Sequence, residues 1–182
     1  MHKTPPTEKC QQLAAVIKYP YDGFVPDEQT KCSWTFTDDI RTLEAKELIR
    51  YYLDQIWPSI NERAKQRGLR ISEKIAIKPT VLWLRGCFIE NNHDATTFIF
   101  LIVPSPAPAQ PTDTLPSQID WTEGPYVGQR AAIGRSRASK PVAISVEIGM
   151  TLQLDRQEIL FANPSMEGVC MVMFGHNYEE IK

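Results

Sequence analysis

An unbroken alternation of apolar and polar residues runs from Val142 to Leu154, and it constrains the fold more than any other pattern in the chain. The even positions of this run are all apolar: Val142, Ile144, Val146, Ile148, Met150, Leu152 and Leu154. The odd positions are small or polar. A period of two over thirteen residues is typical of a β-strand that has one face on a core and the other facing water or a polar cavity.

The length of this run predicts that the strand bends. Its thirteen residues would extend roughly 40 Å, whereas strands usually have about 5–6 residues. Gly149 lies near the middle, where a residue without a side chain favours a bulge or a sharp bend. A bent sheet is concave, so the odd-numbered face, centred on Glu147, is the surface on which a site is expected.

Helices are predicted in the first third of the chain. A short helix is expected over 7–17, and a main helix over 38–57 has one apolar face and is capped by Thr37 or Asp38. Because Pro58 lacks a backbone N–H, we expect it to kink or break the main helix, with a second helical piece after it.

Strands are predicted in the rest of the chain. The segments 80–90 and 96–103 flank Asn91-Asn-His-Asp94, whose residues favour a turn, so we expect an antiparallel hairpin. Further strands are expected at 32–37, 159–161 and 169–174. Helices followed by strands indicate an α+β fold, in which N-terminal helices pack on a curved, mainly antiparallel sheet of five to six strands.

A long connection separates the predicted strands in the second half of the chain. Residues 104–140 are rich in proline up to 128 and then basic, with four cations and no acid between 129 and 140. Loops beyond about 15 residues are uncommon unless they are functional or disordered. We therefore expect a Pro-rich and basic insertion loop or linker within a single domain that spans residues 1–182.

Size and charge narrow the class of protein. The chain has 182 residues and a net charge of −2, so no overall positive field attracts nucleic acid or an anionic membrane. No run reaches the roughly 20 apolar residues that a membrane-spanning helix needs, and no apolar segment follows the charged N-terminus. These observations predict a cytoplasmic protein that does not enter a membrane.

Metal and cofactor sites are not predicted. His93 and Asp94, with Glu90 and Cys87 nearby, are residue types that bind metals or transfer protons, but turn chemistry explains the Asn-Asn-His-Asp sequence without either role. The four cysteines, Cys10, Cys32, Cys87 and Cys170, lack the close spacing of a zinc site. We expect reduced thiols and neither a bound metal nor a cofactor.

One candidate site is a pocket between helix 38–57 and the curved sheet. In this hypothesis Glu147 is a base or hydrogen-bond acceptor, and Arg85 binds an anionic group. Trp83 and Tyr52 form the walls, and the insertion closes over the ligand. The corresponding function is that of a small-molecule enzyme or carrier. The opposite interpretation is that Glu147 is an ordinary solvent-facing residue.

The other candidate site is the insertion itself, as a surface for a partner. Its candidate contact residues are aromatic or basic: Trp121, Tyr126, Arg130, Arg135 and Arg137. Aromatic residues within a polar loop dock either on the domain or on a partner. The arginines also suggest phosphate or RNA, but no aromatic residues alternate with them for base stacking, so nucleic acid is disfavoured.

Common catalytic motifs are absent from the sequence. It has no glycine-rich phosphate loop, no His-x-x-x-His pair and no Gly-x-Ser-x-Gly motif. We therefore expect a non-catalytic binding or protein-interaction module, which uses the 104–140 insertion and the polar face of 142–154 to bind another protein. The small-molecule enzyme or carrier remains the alternative, and the sequence leaves catalysis and the oligomeric state open.

Overall fold

In the computed structural model, an antiparallel sheet is covered by helices on one face and by a second, smaller antiparallel sheet on the other. The structure describes residues 2–28, 33–37, 42–92, 95–106, 119–135 and 140–180. The predicted α+β class and the antiparallel pairing are confirmed. None of the helices in these residues is long and apolar enough to cross a membrane.

The helical segments lie in the first third of the chain, and threonine hydroxyls cap the first two of them. They are α1 (Glu8–Ala15), α2 (Leu43–Tyr51), a π-helical segment (Tyr52–Ile56) and α3 (Trp57–Lys65). The Thr7 Oγ1 atom accepts a hydrogen bond from the Cys10 backbone N–H at 3.1 Å, and Thr42 Oγ1 accepts one from Ala45 at 3.2 Å. The main helix therefore begins at 43. The predicted cap Asp38 lies outside the described residues.

Pro58 was predicted to kink or break the main helix, and the structure shows no break there. The π-helical segment directly precedes α3, and Pro58 occupies the first turn of α3. A proline is tolerated in a first turn because the N–H groups there have no partner within the helix. The π-helical turn is a known way to absorb such a local irregularity without ending the helix. Helix therefore continues from residue 43 to residue 65.

The strands form two sheets. In chain order they are β1 (His2–Thr4), β2 (Phe24–Pro26), β3 (Ser33–Phe36), β4 (Leu69–Leu84), β5 (Phe88–Glu90), β6 (Thr96–Val103), β7 (Ala131–Gly134), β8 (Val142–Ile144), β9 (Thr151–Leu154), β10 (Ile159–Ala162) and β11 (Val169–Glu180). Among the described residues, the large sheet has seven strands in the order β1-β9-β6-β11-β4-β3-β2, and the small sheet has the order β5-β10-β7-β8. The sequence predicted one sheet of five to six strands.

The predicted hairpin between 80–90 and 96–103 is wrong. Strand β11 lies between β4 and β6 and pairs with both of them. Strand β4 ends before Gly86, which has a positive φ of 67° and turns the chain. Strand β5 then joins the small sheet, where it pairs with β10. The last strand was predicted to end at 174, but β11 continues to Glu180.

The alternating run 142–154 is divided between the two sheets. Strand β8 belongs to the small sheet and β9 to the large one, so the prediction of one long strand is wrong. The predicted bend at Gly149 is confirmed, since this residue has a φ of 81°. A Cβ atom there would lie 2.9 Å from the backbone of Gln11, so helix α1 packs directly on the turn.

Each face of the large sheet has its own core. Helix residues such as Leu48 and Ile60 share one core with Leu101 and Phe174 of the sheet. On the other face, the inner side chains of the two sheets form the second core, among them Phe100, Ile102, Met171, Leu152, Ile133 and Leu160. Every residue named here is at most 4% exposed, so both interfaces exclude water.

Part of the insertion belongs to the small sheet, and another part covers the outer face of that sheet. Residues 131–134 form β7, which lies between β10 and β8 in the small sheet. Trp121 and Tyr126 cover the outer face of that sheet and contact Ile159 and Phe161. The prolines before 129 favoured the prediction of a loop or linker, although Trp121 and Tyr126 pack on the domain.

Strand β4 is irregular where it pairs with β11. Between the pairs Ile71–Tyr178 and Thr80–Met173, β4 advances nine residues while β11 advances five. Extra residues on one strand form bulges, which bend and twist it. Gly175 lies opposite this region, where a Cβ atom would approach the Ile77 side chain to 2.8 Å. The irregular part of the large sheet is therefore the pairing of β4 with β11.

Candidate functional site

Two cavities lie along one side of the helix that spans residues 43–65. The first measures about 370 Å³ and is lined by Lys46, Ile49, Arg50, Leu53, Asp54, Lys78 and Pro79. The second measures about 460 Å³ and is lined by Trp57, Pro58, Asn61, Glu62, Lys65, Arg70 and Glu73. The helical residues recur every three or four positions and therefore share one face. Strand β4 supplies the opposite wall of both. We call the whole depression the helix–strand cleft.

The first cavity has an apolar floor and a positively charged rim. Ile49 and Leu53 are half-buried on the helix, and Pro79 faces them from β4. The rim carries three cations and one acid, namely Lys46, Arg50, Lys78 and Asp54. The Arg50 Nε atom is 3.9 Å from Asp54 Oδ2, but both side chains are exposed, so their attraction is weak. The rim is therefore net positive in a chain whose net charge is −2.

An unpaired strand edge borders this cleft. On the side of β4 away from β11, β3 pairs only with residues 82–84, and no other described strand pairs with β4 there. The Asn61 Oδ1 atom accepts a hydrogen bond from the Ile71 N–H at 2.9 Å, so a helix side chain replaces a strand partner at that point. Such an edge presents backbone donors and acceptors to any extended chain laid beside it.

A buried hydrogen-bond chain fixes the distance between the helix and β4. His176 of β11 lies between the Tyr52 hydroxyl, 2.9 Å from its Nε2, and the Ser72 carbonyl oxygen, 3.0 Å from its Nδ1. The carbonyl can only accept, so Nδ1–H donates to it and Nε2 accepts from the Tyr52 O–H. The Tyr52 ring also stacks on Phe174 at 4.0 Å. Helix, β11 and β4 are thereby joined beneath the cleft.

Burial keeps both members of this pair neutral. His176 and Tyr52 have no exposed surface. Burial lowers the pKa of His176 below 6.5, and its hydrogen bond to the Ser72 carbonyl opposes that shift only in part. Burial raises the pKa of Tyr52 well above its usual value of 10. Neutral imidazole is the form that leaves Nε2 free to accept from Tyr52, so the low pKa and the geometry agree.

Acid is therefore expected to destabilise the fold through His176. The unfolded chain binds the proton more readily than the folded chain, because the folded pKa is lowered. The stability from neutral His176 is fully present above about pH 6.5 and is lost as the pH falls through the folded pKa, by at most about 1.4 kcal/mol per pH unit. Urea unfolding at pH 7.5, 6.5, 5.5 and 5.0 measures this slope.

His2 needs a control in that experiment, since burial also lowers its pKa. A His2→Gln variant is expected to keep most of the pH dependence, because His2 is only half-buried at the N-terminus. A free energy of unfolding that stays constant from pH 7.5 to 5.0 in both proteins would mean that His176 is not held neutral by its surroundings.

The structure does not gather the four predicted pocket residues around one cavity. Tyr52 lies beneath the cleft in the hydrogen-bond chain. Trp83 is fully buried against Trp34 and donates its indole N–H to the Glu167 carbonyl at 2.9 Å. Arg85 is half-buried and donates from Nε to the Pro164 carbonyl at 3.2 Å. Glu147 is exposed in the turn between β8 and β9.

Three of the predicted partner-binding residues are engaged within the domain. Trp121 and Tyr126 are each 8% exposed, and the Tyr126 hydroxyl donates to the Pro141 carbonyl at 2.7 Å. The Arg130 guanidinium donates to the Gly168 carbonyl and to Ser105 Oγ. Arg135 is exposed, and its Nε lies 3.8 Å from Glu158 Oε1. Arg137 lies outside the described residues.

Another polar cluster surrounds Asp155 at the end of β9. Burial alone would raise the pKa of Asp155, but hydrogen bonds from Tyr178, Arg67 and Thr97 lower it below its usual value. Gln153 donates to the same carboxylate. With so many donors already supplied by the protein, this carboxylate is a structural centre that joins β6, β9 and β11.

No metal site is evident in the part of the chain that the structure describes, where no three His, Cys, Asp or Glu side chains converge. The predicted turn residues His93 and Asp94 lie outside that part. Cys87 is buried. Cys10 and Cys170 are buried free thiols, and burial raises the pKa of Cys10 to about 11 and that of Cys170 to about 12. Such thiols are poor nucleophiles because little thiolate is present.

The sequence reasoning missed the helix–strand cleft. Its helical wall was predicted as helix, but residues 70–79 of the strand wall were assigned to no element and His176 was given no role. No protein-family model and no curated protein matches this chain. The interpretation of the cleft therefore depends on its own geometry and charge.

Proposed function

We propose that the protein is a non-catalytic protein-interaction module that binds an extended, acidic segment of a partner protein in the helix–strand cleft. One observation supports this most: an apolar cavity with a net positive rim lies beside an unpaired strand edge. The edge suits the backbone of an extended segment, the floor suits its apolar side chains, and the rim suits its acids.

The backbone of the segment is recognised by strand addition. A peptide laid along β4 forms main-chain hydrogen bonds with the open edge, and alternate side chains point toward the helix. Main-chain bonds give affinity without sequence preference, so the cavities supply the specificity. The hydrogen bonds of Asn61 and His176 hold the cleft walls at a fixed spacing, which lowers the cost of ordering on binding.

The charge of the rim selects acidic partners. Lys46 and Lys78 face each other across an apolar floor, one on the helix and one on β4. An acidic residue bound between them gains two attractions, whereas a basic residue is repelled. Exposed charges of this kind raise the association rate, and their effect weakens as salt screens them.

The cleft is better placed for this role than the surfaces suggested by the sequence. Trp121, Tyr126 and Arg130 already contact their own domain. Trp83 and Tyr52 are buried in the core, so they are not available as walls for a small molecule. We therefore retain the protein-interaction function and move its proposed surface from the insertion and the Glu147 face to the cleft.

Selection from a display library of random 12-residue peptides tests this proposal. We expect the enriched peptides to combine acidic residues with apolar ones. A selected peptide, labelled with a fluorophore, should then lose at least tenfold in affinity, about 1.4 kcal/mol, toward the double variant Lys46→Glu and Lys78→Glu. Binding is measured by fluorescence anisotropy at low and high salt.

A matched control separates the rim from overall charge. Lys9 and Lys18 are exposed lysines outside the cleft, and changing both to glutamate alters the net charge by the same amount. This control is expected to bind the peptide within about twofold of the parent protein. Enriched peptides without acidic residues, or equal losses in the two double variants, would contradict the proposed function.

A further inference from the structure

We infer that the partner segment occupies both cavities of the helix–strand cleft, and that the second cavity selects an uncharged side chain with a hydrogen-bond acceptor. This inference rests on the proposed function and adds a length and a polarity pattern to the ligand. The segment is acidic at one end and neutral and polar at the other.

The two cavities lie one after the other along the same face of the helix. The residues of the helix that line them follow each other on one face from Lys46 to Lys65. On β4 the walls run from Lys78 and Pro79 back to Glu73 and Arg70. The five steps from residue 73 to residue 78 span roughly 17 Å, less where the strand bulges. An extended segment that reaches both cavities therefore needs about six to ten residues, at about 3.3 Å each.

Charge distinguishes the two cavities. The lining of the first has three cations and one acid, whereas the lining of the second has two of each: Lys65, Arg70, Glu62 and Glu73. Within the second, Lys65 is paired with Glu62, and Arg70 with Glu179 of β11. A lining with equal numbers of cations and acids has no net charge to attract a charged side chain, so the second cavity favours a neutral one.

Trp57 supplies the donor for the acceptor on that side chain. Its indole Nε1 is buried and has no hydrogen-bond partner among the described residues, although the ring lines the second cavity. An indole N–H is a donor only, and leaving it unpaired costs free energy. The nitrogen itself has no accessible surface, so donation to a bound acceptor requires the ring to turn toward the cleft.

Trp57→Phe tests this inference with the same selected 12-residue peptide. The variant keeps an aromatic wall and removes only the donor, so we expect about a fivefold loss of affinity. We expect no loss of stability in the free protein, because an unpaired donor is replaced by a C–H group. Tyr51→Phe is the matched control, since its hydroxyl bonds to Thr7 outside the cleft. It should leave affinity unchanged.

Peptide truncation gives the second readout. The acidic six-residue half of the selected peptide is expected to bind at least tenfold more weakly than the whole peptide. Equal affinity of half and whole, or an unchanged affinity of Trp57→Phe, would overturn the two-cavity inference while leaving the single-cavity function intact. Loss of the Lys46 and Lys78 effect would instead overturn the proposed function itself, so the two failures are distinguishable.

Discussion

Replacing Gly168 with alanine is expected to lower the free energy of unfolding by about 2–5 kcal/mol. Gly168 has a φ of 77°, a left-handed conformation that costs other residues about 1–2 kcal/mol. A Cβ atom there would lie 2.3 Å from the Leu84 carbonyl oxygen and 2.9 Å from Trp83 Nε1. The first of these is backbone, which cannot rotate away, so β4 or the turn before β11 must shift.

Gly128 is the matched control for that experiment. It has a similar φ of 71°, but no atom lies within 4 Å of a Cβ built there. Gly128→Ala should therefore cost only the conformational part, about 1–2 kcal/mol. Urea unfolding at pH 7.5 compares the two variants. Equal losses would show that Gly168 is not in close contact with β4, which would contradict the packing of the β10–β11 turn.

Replacing His176 with leucine is expected to cost about 3–5 kcal/mol, because two buried polar groups then lose their partner. The Ser72 carbonyl loses a donor and the Tyr52 hydroxyl loses an acceptor. Each such loss costs about 1–3 kcal/mol in a buried site. The variant should also lose the decrease of stability between pH 6.5 and 5.0, since the titrating group is gone.

Tyr52→Phe separates the two bonds of His176. It removes the hydroxyl but keeps the ring that stacks on Phe174, so we expect a smaller loss of about 1–2 kcal/mol. The bond from His176 to Ser72 remains. If Tyr52→Phe cost as much as His176→Leu, the bond to the β4 carbonyl would contribute nothing, and the hydrogen-bond chain would not set the spacing of the cleft.

Local patterns in the sequence predicted the α+β class and the helices well. Helix α1 and the helix from 43 to 65 bury the residues that recur every three or four positions, such as Leu48 and Tyr52. Strand β3 buries Trp34 and Phe36 on one face, as the sequence predicted. These features depend on neighbours within a few residues, which is why composition and spacing were sufficient.

The prediction of one long strand over 142–154 was wrong for a physical reason. Ile144 of β8 and Leu152 of β9 belong to different sheets, but both point into the core between those sheets. The apolar period therefore continues through the turn, although the strand does not. The odd positions diverge: Glu147 is exposed, whereas Gln153 is buried. A period of two shows which side chains face a core but not how many sheets surround it.

The cleft and His176 were not predictable from local patterns. Lys46 and Lys78 are 32 positions apart in the sequence and come together only because β4 folds back beside the helix. Residues 70–79 of β4 carry charges at irregular positions because the strand is bulged and open on one side. The role of His176 has no local signal in the sequence, because its hydrogen-bond partners, Tyr52 and Ser72, are far from it along the chain.

Amide hydrogen exchange of the protein with and without a saturating selected peptide tests strand addition in the cleft most directly. Strand addition predicts at least tenfold slower exchange for amides on the open edge of β4 between residues 72 and 78. Ile71 should change little, because Asn61 already accepts from its N–H. Protection confined to residues 119–134 or to the turn around Glu147, with none in β4, would contradict strand addition in the cleft. The partner surface would then lie on those residues instead.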